Sequence, residues 1–110
     1  MASEACVVLC TVPSEEVGVT IARALLDERL VACVNIVPGV RSLYRYKGQL
    51  EDERELLLVI KSRRALYPRL EARVRMLHPY QVCEVLLLEV GAGAEPYLAW
   101  IASETADVVD

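Results

Sequence analysis

The order of apolar segments predicts an α+β domain in which two strand–helix–strand units share one antiparallel sheet. Three observations carry that prediction. The runs Cys6–Val12, Val31–Val37, Glu53–Ser62 and Val82–Val90 are short and rich in Val, Leu and Ile, as strands are. Stretches of helical period separate the first pair and the last pair. The middle two are joined through Lys47-Gly48-Gln49, a hairpin turn.

Each element has its own justification. After the first strand, Pro13-Ser14-Glu15-Glu16 signals a helix start. Ser14 is a good N-cap, and the two carboxylates fall in the first turn, where the helix dipole favours them. Val17, Ile21, Ala24, Leu25 and Glu28 form one stripe that ends in charge at Asp27-Glu28-Arg29. In the second strand Pro38-Gly39 marks a bend or bulge, and Val40–Tyr46 continues it to the hairpin turn. The return strand is centred on Leu56–Ile60. Leu66, Leu70, Val74 and Leu77 then repeat at helical spacing. Pro68 either sits beside the helix start or kinks it, and Pro79 closes the helix after His78. Beyond the last strand, Gly91 to Gly93 leads to a terminal helix with Pro96 in its first turn. Tyr97, Trp100 and Ile101 are expected on its buried face. Right-handed crossovers put both main helices on one side of the sheet. The result is a ferredoxin-like βαββαβ sandwich plus a short C-terminal helix, one domain over residues 1–110.

Composition narrows the function classes. The 110 residues carry 12 Lys and Arg against 16 Asp and Glu, a net charge of −4. That balance argues against a nucleic-acid partner, which needs a basic face. Aromatic residues make up 5% of the chain and none is Phe, so base-stacking platforms are not expected. No apolar run approaches the ~20 residues of a membrane span. Met1-Ala2-Ser3-Glu4 lacks the positive region of a secretory leader, and four cysteines without a paired motif read as reduced thiols. Together these point to a cytoplasmic protein. The hydrophobic share of 55% exceeds the roughly 45–50% of ordinary soluble domains.

That excess sits in the strands. A sheet covered on one side alternates apolar and polar residues, yet Cys6–Leu9, Leu56–Ile60 and Val85–Leu88 are apolar at every position. Two helices cover one face only, so the other face is expected to pack against sister subunits.

Signatures of catalysis are sparse. The chain has no glycine-rich phosphate loop, nucleophile elbow or zinc-finger spacing, and it has a single histidine. An enzyme is not expected. The acidic run Glu51-Asp52-Glu53, with Glu55, lacks the turn glycine and ligand alternation of a calcium loop and reads as a solvated strand end. Cys6 and Cys33 read as small core residues. Cys10 differs, because the topology brings the end of the first strand and the end of the second helix to one side, with Cys83 and Glu84 nearby. Cys10 and His78 together make a soft sulfur-and-nitrogen pair suited to copper or zinc. Equally, His78 can serve as a cation at a helix C-terminus, with Cys10 an inert core residue. Tyr44, Tyr46 and Tyr80 suit interface packing, each with an apolar ring and a polar tip.

The sequence resembles the CutA divalent-cation-tolerance family along nearly its whole length. The resemblance is carried by Leu9–Ser14, Leu30–Asn35, Ile36–Tyr44, Lys47-Gly48, Ile60–Ser62, His78-Pro79-Tyr80 and Tyr97–Ile101 in that order. It implies a homotrimer of ferredoxin-like subunits and a link to tolerance of copper and other divalent metals. It also implies that Cys10 and His78 stand at positions tied to copper. Leu77 replaces a second histidine of some members, Tyr46 a usual Trp, and Gln81 and Cys83 a usual Glu and Pro, while Glu84 matches. The expected function is therefore divalent metal ion tolerance with copper or a similar cation bound. Two alternatives are a signalling trimer holding a small anionic metabolite at subunit clefts through Lys61, Arg41 and the tyrosines, and a trimeric scaffold for a protein partner.

Overall fold

A computed structural model describes residues 4–107, so Met1–Ser3, part of the leader reading, lie outside the described residues. The elements are β1 (Ala5–Val12), α1 (Glu15–Asp27), β2 (Cys33–Tyr46), β3 (Gln49–Arg63), a 3₁₀ turn (Arg64–Leu66), α2 (Tyr67–Leu77), β4 (Leu86–Glu89) and α3 (Glu95–Glu104). They build one four-stranded sheet in the order β2-β3-β1-β4, with every neighbouring pair antiparallel. This is the expected α+β βαββαβ arrangement.

Local chemistry explains each boundary. The Ser14 side chain accepts a hydrogen bond from the Val17 amide at 3.2 Å and starts α1. The buried line of α1 is Gly18, Ile21, Ala22 and Leu25, rotated slightly from the expected stripe. Gly18 lets the helix lie close to β1 and β3, since a Cβ there would stand 3.3 Å from Val12 Cγ2 and 3.4 Å from Leu58 Cδ2. Pro68 stands in the first turn of α2 and does not kink it. His78 leaves the helix with an extended backbone, as the residue before Pro79 must. Positive φ at Lys47 (49°) and Gly48 (78°) gives the tight turn between β2 and β3, whose twist matches the strands. A register shift between Val37 and Val40 confirms the bulge at Pro38-Gly39.

The core lies between the sheet and the α1–α2 layer. Cys6, Val8, Cys10 and Val12 of β1 meet Leu58 and Ile60 of β3, Ile21 and Leu25 of α1, and Leu66, Leu70 and Val74 of the second helical segment. Most of these are fully enclosed, and burying each Leu, Ile or Val contributes about 1.5–3 kcal/mol. On the other side of the sheet, Val7 and Leu9 pair with Leu88 and Leu86, and Leu57 with Val37. There Val37, Leu86 and Leu88 remain 42%, 54% and 49% exposed.

Two expectations need correction. The last strand is Leu86–Glu89, not Val82–Val90: residues 78–85 stay out of the ladder, and the Tyr80 amide and Val85 carbonyl take side-chain partners instead. The Tyr67 hydroxyl, for example, donates to the Val85 carbonyl at 3.2 Å. In α3 only Ile101 is buried, against Ala5 and Ala32 at one end of the otherwise open face. Tyr97 and Trp100 stack on each other at 5.6 Å and stay exposed, because the helix rests on Leu98 and Ile101 instead. The segment after α3 is tied down: the Ala106 amide donates to the Arg29 carbonyl at 2.7 Å, and Arg63 Nε donates to Thr105 Oγ1 at 2.8 Å.

Candidate functional site

The end of β1 and the end of α2 do meet. Cys10 belongs to the buried row of β1, because its Cβ points toward α1 and α2 with those of Cys6 and Val8. His78 caps α2 and is buried. Both residues address the same atom. His78 Nε2 lies 2.8 Å from the Thr11 carbonyl oxygen, and the Cys10 thiol donates to that oxygen at 3.7 Å. The other ring nitrogen, Nδ1, accepts the Tyr80 amide at 3.1 Å. A nitrogen that accepts carries no proton, so the hydrogen-bond network assigns the proton to Nε2.

This geometry tests the fit of a soft metal ion. The donor types suit copper or zinc, and the fold brings them together. Their lone pairs are not free, however. One ring nitrogen accepts a backbone amide, the other donates, and the thiol is protonated: burial first, then Cys83, Glu84 and Glu55, pushes it up to about 12. Among the described residues no group of three His, Cys, Asp or Glu side chains converges as a metal cage would. Cys10 and His78 therefore form a closed pair in this conformation.

Beside the pair lies a cavity of about 650 Å³ under the base of the β2–β3 hairpin. Thr11, Arg41, Tyr44, Glu55, Tyr80 and Glu84 contribute its polar groups, with Tyr46, Leu43 and Val82 alongside. Glu55 is its anchor. It stands two and four residues before Leu57 and Val59 on the same side of β3, yet it is only 5% exposed. The Tyr80 hydroxyl donates to Glu55 Oε2 at 2.9 Å and closes the carboxylate in. The Tyr80 phenol is held well above its ordinary range, by burial first and then by that bond. The reading of Glu55 as part of a solvated strand end is thus wrong: Tyr80, folded back from the loop after α2, covers it.

Other candidates separate. Lys61 donates to Asn35 within the sheet and takes no part in the cavity. Arg41 reaches the cavity, but its guanidinium is held by Asp52 through two bonds of 2.9 and 2.7 Å. Tyr44, Tyr46 and Tyr80 all line the cavity.

Comparison with known proteins places this architecture. Residues 6–104 match the family model described as CutA1 divalent ion tolerance protein. The chain is 52% identical over 99 residues to the divalent-cation tolerance protein CutA of Thermus thermophilus, covering 90% of this chain and 96% of that one. Against human protein CutA it is 45% identical over 100 residues, 91% of this chain but 56% of the human one. The structure of CutA1 from Oryza sativa superposes with a TM-score of 0.93 at 38% identity, covering 97% of this chain and 98% of that chain. A model match across this span, with such identities, leaves one assignment: the chain belongs to the CutA1 divalent ion tolerance protein family.

Proposed function

We propose that the chain acts in divalent-cation tolerance as a cytoplasmic homotrimer that binds copper or a similar divalent cation and performs no catalysis. The observation that carries the reading is the convergence of Cys10 and His78, the soft donors of the family resemblance, on the Thr11 carbonyl. Binding at this pair requires the thiol to lose its proton and His78 to give up one backbone partner. Affinity therefore falls steeply as pH drops. The apolar open face, with Val37, Leu86 and Leu88 left bare, supports assembly with two further copies. The free state of all four cysteines supports a reducing compartment.

Copper titration of the native assembly tests the site. Binding is expected in the wild type and lost in the Cys10→Ser, His78→Ala double variant. Unchanged binding in that variant overturns the assignment. Light scattering on the same sample is expected to give three times the chain mass.

A further inference from the structure

The cavity below the hairpin has a chemistry unlike that of the Cys10–His78 pair. Its walls are aromatic: the Tyr44, Tyr46 and Tyr80 rings all border it. Its charged groups, Glu55, Glu84 and Arg41, are net negative. Glu55 is buried at its edge and holds a single hydrogen bond, from Tyr80. Glu84 has no ion-pair or hydrogen-bond partner among the described residues, and the cavity's one cationic side chain, Arg41, is already committed to Asp52. Glu53, Glu55 and Glu51 raise the Tyr44 phenol further after burial has done so, a sign of negative potential over this wall. The ring face of Tyr46 already holds a cation, with Lys47 Nζ 5.4 Å from its centroid.

A desolvated carboxylate, a second free carboxylate and tyrosine faces are the features that recognise an ammonium group. They disfavour an anion, which would find Glu55 and Glu84 and no free positive charge. They also disfavour a bare metal ion, because the cavity is far larger than a coordination sphere and no three metal-ligating side chains converge in it. We propose that this cavity binds a small organic cation bearing primary ammonium groups, with Glu55 and Glu84 as counter-charges and the tyrosine rings as walls. Thr11 hydroxyl and Tyr44 hydroxyl then supply neutral hydrogen bonds at its rim. The site is distinct from the Cys10–His78 pair, with Thr11 and Tyr80 shared between them, and the anionic metabolite expected from Lys61 and Arg41 does not suit it.

Three four-carbon probes separate the charge classes: 1,4-diaminobutane, 1,4-butanediol and succinate. Each is titrated by calorimetry into the full-length native assembly in phosphate buffer at pH 7.5, with magnesium chloride as a fourth arm. The diamine is expected to bind, and the diol and succinate to give no heat. Glu55→Gln is expected to weaken the diamine by at least about tenfold. Glu84→Gln, at an exposed position, gives a smaller loss and keeps the test decisive if the Glu55 variant fails to fold. Cys10→Ser, which removes the thiol and leaves His78 holding the Tyr80 amide, is expected to bind the diamine as the wild type does, so failure of the copper reading and failure of this one remain distinguishable. No diamine binding, binding indifferent to both glutamates, or preferred binding of succinate or magnesium overturns the proposal.

Discussion

The two faces of the sheet have almost the same apolar sequence and opposite fates. On one, Cys6, Val8, Cys10, Val12, Leu58 and Ile60 are sealed under α1 and α2. On the other, Val7, Leu9, Leu57 and Val59 are only half-buried, and Val37, Leu86 and Leu88 are bare apart from the end that α3 covers. Side-chain type therefore does not distinguish a sealed core from an open face. What distinguishes them is whether the same chain supplies a cover.

The comparison breaks if the two faces respond alike to truncation. Leu58→Ala opens a cavity in the closed layer and is expected to cost about 2–5 kcal/mol, read by urea denaturation and independent of protein concentration. An alkaline titration of stability probes the same layer. Burial raises the thiols of Cys6 to about 11 and Cys10 to about 12, above their values in the unfolded chain near 9. Their contribution is therefore complete below about pH 9 and is lost as pH rises through 11 to 12. Between about pH 9 and its folded value each thiol is expected to remove up to about 1.4 kcal/mol per pH unit, and Cys10→Ala should flatten the slope.

The open face sharpens the contrast. Leu88→Ala is expected to cost about 1–2 kcal/mol in concentrated protein and less once dilution separates the copies, because in the proposed assembly another copy covers it. A melting temperature that ignores dilution in both wild type and variant would show that this face has no partner. The smallest effect is expected from Tyr80→Phe, about 1 kcal/mol, since it removes the hydroxyl donor of Glu55 and leaves the ring in place. Thermal denaturation of the Phe variant checks it, and a Glu55→Gln, Tyr80→Phe double variant should lose less than the sum of the singles.

Much of the fold was legible because local signals agreed with it. Ser14 capped the helix it announced, and Pro38-Gly39 bulged where it stood. Cys10 and His78 came to one end, as topology required. The errors came from places where a distant residue decides. Glu55 looked solvated because its cover, Tyr80, is 25 residues away in sequence. The terminal helix offered a broad apolar surface, and periodicity alone does not say whether Leu98 or Trp100 meets the sheet. Strand β4 starts late, at Leu86, because over residues 78–85 the Tyr67 hydroxyl takes the Val85 carbonyl and the His78 ring takes the Tyr80 amide. The hydrogen-bond roles of the His78 nitrogens lie beyond any sequence pattern, since backbone amides and carbonyls set them.

The two-residue turn at Lys47-Gly48 has a consequence for the order of folding. Strands β2 and β3 zip outward from that turn through a ladder that reaches Cys33 and Lys61, so each new pair closes almost no additional loop. The four pairs of β1 with β4 instead join residues about eighty positions apart, and their loop entropy falls due before any bond forms. The hairpin is thus the natural nucleus, and β4 is the last strand to arrive and the first to open. The strand with the least purchase on its own sheet also carries Leu86 and Leu88, so a neighbouring copy that docks there would lock the step the single chain holds most weakly.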